Sequence, residues 1–226
     1  MQITYEGHSC FSLRNQEGNM ILIDPFISEN PLCAKAWQDF HPQLILVTHA
    51  HRDHLGDALA IARASQGVLA GQVDLLESLS LEGISSLAFN LGGTIRLLGF
   101  TITMTQAIHG ARNADGSYGG VAAGYIISDG KINLYHAGDT ALFGDMQSVI
   151  SRYQLDYALL PIGDFYTMGP TDAITAAHWL QAKTIIPMHY NTFPVINQNA
   201  EDFKIALENK TDSRCLILQP GQSIEA

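Results

Sequence analysis

Cysteine is scarce in this sequence: Cys10, Cys33 and Cys215 are odd in number, far apart and in no C-x-x-C pair. That excludes a disulfide framework and a thiolate zinc site, and leaves buried, inert thiols as the expectation. Positive charge is scarce as well. Only 12 Lys and Arg stand against 22 Asp and Glu, for a formal net charge of −10, and no Lys/Arg run interrupts that balance. Polyanion binding needs a basic stripe that neutralises phosphates; scattered residues such as Arg52, Arg63 and Arg112 do not make one. A nucleic-acid partner is therefore not expected. Long apolar runs are missing too, with no segment near the roughly 18 uninterrupted apolar residues of a membrane span, and the first six residues lack the basic start of a signal peptide. A cytoplasmic protein that does not enter a membrane is expected.

What is present suits a folded domain. With 226 residues, 46% of them apolar and 15% charged, the chain can bury a substantial core, and one domain over 1–226 is the expectation. Short apolar or β-branched runs at 20–24, 44–48, 100–106, 125–128, 132–136, 157–161 and 184–188 predict strands. Helical spacing falls at 55–65, 73–79, 143–153, 171–180 and 202–209. The continuously apolar Leu44-Ile45-Leu46-Val47 implies a sheet covered on both faces, hence a layered α/β architecture.

The sharpest motif is Thr48-His49-Ala50-His51-Arg52-Asp53-His54, directly after that apolar strand and before a helical segment. Four candidate ligands fall on one tight turn, so that His49 and His51 can serve one cation while Asp53 and His54 are carried toward a second. Ligation by nitrogen and oxygen without thiolate suits zinc, manganese, nickel or iron.

The run resembles the H-x-H-x-D-H signature of the metallo-β-lactamase superfamily, and later residues fit that family in order. His109 after Ile108 resembles the third histidine of the first metal site. Asp139 in His136-Ala137-Gly138-Asp139-Thr140 matches the carboxylate that bridges two ions, and His189 in Pro187-Met188-His189-Tyr190 the last ligand of the second site. Ile23-Asp24-Pro25 resembles the early strand-end aspartate. A finer likeness, carried by Gly7-His8-Ser9, Leu160-Pro161-Ile162-Gly163-Asp164 and Pro187-Met188-His189-Tyr190-Asn191, is to a small branch of metal-dependent hydrolases related to the ascorbate-6-phosphate lactonases.

The resemblance implies an αββα four-layer sandwich and a site for two divalent metal ions, zinc first. His49, His51 and His109 would hold one ion, Asp53, His54 and His189 the other, with Asp139 between them. A hydroxide shared by two cations can attack a carbonyl or phosphoryl centre, so the implied activity is hydrolysis of a small anionic ester, a phosphodiester or a lactone. The alternatives are a nuclease and a non-catalytic, metal-dependent metabolite sensor; a homo-oligomer is compatible with either.

Around this core, Asp24 reads as an acceptor that orients a ligand histidine rather than as a ligand. Asp53 and His8 are the two candidates for the acid that protonates the leaving group. His8 has two further readings, a substrate contact and the partner of a buried backbone group. Asp164 is expected at the rim of the site, either shaping the pocket or simply exposed on a loop. His136 reads as a packed core residue. The glycine-rich stretch 110–120 is either a lid beside His109 or a plain connection, and 166–170 and 191–194 are further rim segments.

Overall fold

The computed structural model describes residues 1–226 and contains two seven-stranded sheets. The first has the order β14-β1-β2-β3-β4-β5-β6, built from β1 (Gln2–Gly7), β2 (Cys10–Arg14), β3 (Met20–Ile23), β4 (Leu44–Leu46), β5 (Val68–Gln72), β6 (Ser86–Phe89) and β14 (Ser223–Glu225). The second runs β13-β12-β11-β10-β9-β8-β7, from β7 (Thr94–Leu97), β8 (Phe100–Gln106), β9 (Ala123–Ser128), β10 (Asn133–His136), β11 (Tyr157–Pro161), β12 (Thr184–Met188) and β13 (Arg214–Cys215). The helices are α1 (Arg52–Leu55), α2 (Ala58–Ser65), α3 (Val73–Glu77), α4 (Asp145–Ser148), α5 (Pro170–Leu180) and α6 (Ala200–Lys210). None is long and apolar enough to cross a membrane.

The period of two along a strand sends neighbouring side chains to opposite faces, and here both faces are dry. Ile23 and Leu46 point into the large cluster shared with Ile102, Tyr125 and Tyr135 of the second sheet. Their neighbours Leu22, Ile45 and Val47 pack instead with Ile61 and Ala62 of α2 and Leu75 of α3. On the far side, Ala173, Ala177 and Leu180 of α5 and Phe203 and Leu207 of α6 are buried against the second sheet. The layers are thus helix, sheet, sheet, helix, as the near-continuous apolar strands require.

All seven strands expected from the sequence are present, but β1, β2, β5, β6, β7, β13 and β14 were not expected. Strands β6 and β7 alternate between exposed and half-buried residues, so they carry no long apolar run. The helix expected over 55–65 is divided in two. Gly56 turns the chain with φ +41°, and a Cβ there would lie 2.4 Å from the carbonyl oxygen of Pro25, so α1 stops and α2 starts afresh. The stretch 143–153 is likewise α4 followed by a separate 3-10 turn, Ile150–Tyr153.

Strands β3, β4 and β5 run parallel, as do β10, β11 and β12. Their carboxyl ends therefore gather on one side of the sandwich, where open α/β sheets bind ligands. Asp24 follows β3, the His49–His54 turn follows β4, Asp139 follows β10 and His189 follows β12. The β1–β2 turn joins them through the N–H of His189, which donates to the carbonyl oxygen of His8 at 2.8 Å.

Candidate metal centre

The backbone is strained where these ends meet. His8, Asp24 and His189 all have positive φ, at 59°, 46° and 53°, a conformation that non-glycine residues seldom adopt. Such residues cluster where a site dictates side-chain direction.

Three overlapping groups of ligand atoms result. His49, His51 and His109 form one; His8, Asp53, His54 and His189 a second; His49, His54 and Asp139 a third. His49 Nε2 lies 3.0 Å from His51 Nδ1, and the His109 ring stands within 5.1 Å of both rings, centre to centre. Asp139 faces both sides: Oδ1 is 3.2 Å from His54 Nε2, while Oδ2 is 3.0 Å from His189 Nε2 and 3.5 Å from His109 Nε2.

A divalent cation fits this donor set. His54 Nε2 and Asp139 Oδ1 are fully buried, 3.2 Å apart, and neither makes a hydrogen bond. Buried polar atoms left without partners are costly unless something else satisfies them. Burial pushes the His49, His51 and His109 imidazoles below the usual histidine value, which favours the neutral, ligating form. Burial works the other way on Asp139, yet His189 and His54 outweigh it and hold the carboxyl well below its usual range.

Behind the ligands, one carboxylate organises the turn. Asp24 is wholly buried and accepts from the Thr48 N–H, the Thr48 hydroxyl and His54 Nδ1–H, each at 2.7 Å. With its proton given to Asp24, Thr48 Oγ1 is left to accept from His49 Nδ1–H at 3.0 Å. Asp24 does not enter any of the ligand groups.

His8 is also wholly buried. The Thr192 hydroxyl lies 2.8 Å from its Nδ1, and its Nε2–H donates to Asp53 Oδ2 at 3.1 Å. Both ring nitrogens of His8 are thus engaged, and the ring does not line the cavity, so it reaches the site through Asp53. Burial lowers its pKa to about 4 in spite of Asp53, so the ring is neutral near pH 7.

Over the ligands opens a cavity of about 510 Å³, floored by His51, Asp53, His109, Asp139 and His189 and walled by Phe26, Glu29, Arg52, Tyr166, Phe193 and Val195. Asp164, expected at this rim, does not line it. Its φ of +72° and the hydrogen bond from its N–H to the Met168 carbonyl turn it onto Gly169, and it is exposed. The 110–120 stretch also stands clear of the cavity, folded back by the Arg112–Tyr118 bridge and by the Tyr118 hydroxyl, which donates to Asp74 at 3.2 Å. His136 sits in the core, its Nε2–H donating to the Ser9 carbonyl at 2.9 Å. Thr48 stands in the histidine motif and Thr192 in the 191–194 rim segment, whereas Phe26, Glu29 and Val195 were not singled out from the sequence. Only Phe26 carried a signal, an aromatic residue two positions past a strand-end aspartate.

Comparison with known proteins agrees with this arrangement. A profile described as "Beta-lactamase superfamily domain" matches residues 2–189. A UPF0173 metal-dependent hydrolase of Methanoculleus marisnigri is 45% identical over 228 residues, covering 100% of this chain and 96% of the relative. One from Symbiobacterium thermophilum is 42% identical, covering 99% of each. The solved structure of Igni18, described as a novel metallo hydrolase from Ignicoccus hospitalis, superposes with a TM-score of 0.90 at 36% identity, over 99% of this chain and 97% of that one. An isothiocyanate hydrolase, at 20% identity and a TM-score of 0.77, shares the fold. By profile, by full-length relatives and by fold, the chain belongs to the β-lactamase superfamily, among its UPF0173 metal-dependent hydrolases.

Proposed function

We propose that this protein hydrolyses a small ester, a phosphodiester or a lactone, with two divalent cations, zinc first and manganese next. His49, His51 and His109 would hold one cation and Asp53, His54 and His189 the other, with Asp139 as the carboxylate that would serve both. The observation that carries the reading is the position of Asp139, with one carboxyl oxygen toward His54 and the other toward His189 and His109. When bound, such cations supply an activated water and polarise the scissile bond, so no serine or cysteine nucleophile is needed.

The chain's own groups have separate tasks. Asp24 fixes two ligand tautomers, so that His54 and His49 both present Nε2 lone pairs to the centre. Asp53 stands in the cavity floor; burial works to raise its carboxyl pKa, but His54 and His8 hold it well below the usual carboxylate range, so as the proposed acid it would first take the proton of the attacking water and then give it to the leaving oxygen. His8 acts through Asp53 as a positioning residue, holding Oδ2 by its Nε2–H. A nuclease is disfavoured by the net charge of −10 and by the cavity wall, where the single cationic side chain, Arg52, is ion-paired with Glu29.

The test is turnover of an activated phosphodiester and of a simple lactone by zinc- and manganese-loaded protein, before and after chelation. Turnover of either that chelation abolishes is expected. A fully loaded protein that cleaves neither would contradict the reading.

A further inference from the structure

The walls of the cavity differ in chemistry from its floor. Phe26, Phe193, Tyr166 and Val195 form an apolar side that rises from the metal-ligand cluster to the mouth. Phe26 is buried at its base, with the half-buried Phe193 ring 6.3 Å away. At the mouth, Tyr166 and Val195 are 54% and 51% exposed. Scattered exposed apolar residues need no explanation, but four apolar side chains lining one cavity above a polar floor mark surface that a ligand covers. No free cation faces it. The one Lys or Arg side chain in the wall, Arg52, is exposed and paired with the Glu29 carboxylate, which balances its charge.

Resting on the hydrolase reading above, we propose that the substrate is a carboxylic ester or lactone bearing an uncharged, apolar alkyl or phenyl group. That group lies along Phe26, Phe193, Tyr166 and Val195 while the scissile carbonyl meets the floor. Water adds its oxygen to the acyl carbon as the acyl C–O bond breaks; the leaving oxygen takes a proton, and the products are a carboxylate, a released proton and an alcohol. No other reactant is required.

The test has two arms on zinc-loaded protein. In the first, kcat/KM is measured for γ-lactones of increasing side-chain length, from γ-valerolactone to γ-decalactone. A rise of about threefold per methylene is expected, and the double variant Tyr166→Ser, Val195→Ser should flatten it. Both side chains are exposed, so folding is not at risk. A wild-type series independent of chain length overturns the proposal. In the second arm, binding of 4-phenylbutyrate, acetate and glutarate is measured by calorimetry. Phenylbutyrate is expected to bind at least about tenfold more tightly than acetate, with the gain lost in the double variant. Glutarate binding more tightly than phenylbutyrate, or no gain over acetate, overturns it. Should no ester be cleaved while phenylbutyrate still binds as described, the hydrolase reading fails and the assignment of the wall as an apolar-ligand site stands.

Discussion

Asp24 Oδ2 accepts the Nδ1–H of His54 at 2.7 Å and, at the same distance, the hydroxyl proton of Thr48, whose oxygen in turn accepts from His49. One buried carboxylate thereby sets the protonation pattern of two imidazoles of the cluster, which the proposed function assigns to different cations. Removing such an outer partner typically costs about 10–100-fold in metal affinity. Asp24→Ala should show that loss in a zinc competition titration, and Asp24→Asn, which keeps an acceptor, a smaller one. Wild-type zinc affinity in Asp24→Ala would remove Asp24 from the account.

His8 separates positioning from packing. His8→Gln can place an N–H near Nε2, whereas His8→Phe keeps the ring's bulk among Phe26 and Phe193 but cannot hold Asp53. The expected result is a fall in kcat of about tenfold in His8→Phe with KM little changed, largely restored in His8→Gln. Equal losses in both variants, accompanied by equal losses in thermal stability, would point to packing instead.

Gly138 precedes Asp139 with φ +62°, and a Cβ there would sit 2.5 Å from the carbonyl oxygen of Ala123. Gly138→Ala combines backbone strain with a clash against main chain that cannot move away. A loss of about 2 kcal/mol or more is expected in urea unfolding, together with weakened metal binding. A variant of wild-type stability would mean that this turn is looser than its geometry implies.

Tyr125 tests the strand that delivers the metal-binding turn. Its hydroxyl donates to the Val47 carbonyl at 2.6 Å across the sheet interface, deep in the core. Tyr125→Phe leaves that carbonyl unpaired and should cost about 1–3 kcal/mol. Metal content should be unchanged, because the ligands themselves are untouched. An undiminished midpoint in denaturant would show that another group takes over the carbonyl.

Much of the architecture was legible because its signals are local. The apolar runs of β3, β4 and β12 and the strand-end histidines and aspartates stand out without knowledge of the fold. Strands β6 and β7 do not, since half of each is exposed and neither carries a long apolar run. The site was legible for the same reason and to the same limit. His8 and Thr192 meet only because the β1–β2 turn folds against the end of β12, a contact between residues 184 positions apart. The apolar wall is likewise assembled from three separate loops, so Phe26 and Val195 carried no shared pattern. Asp164 had the sequence context of a rim residue but a backbone turn that points it elsewhere.

The central proposal is that the centre would hold a pair of cations, with Asp139 serving both. Its most direct test is metal content by plasma mass spectrometry after zinc loading and exhaustive dialysis, for the wild type and for His109→Ala and His189→Ala. The account predicts about two zinc ions per chain in the wild type and about one in each variant. One ion or fewer in the fully loaded wild type, or the same content in all three proteins, would contradict it.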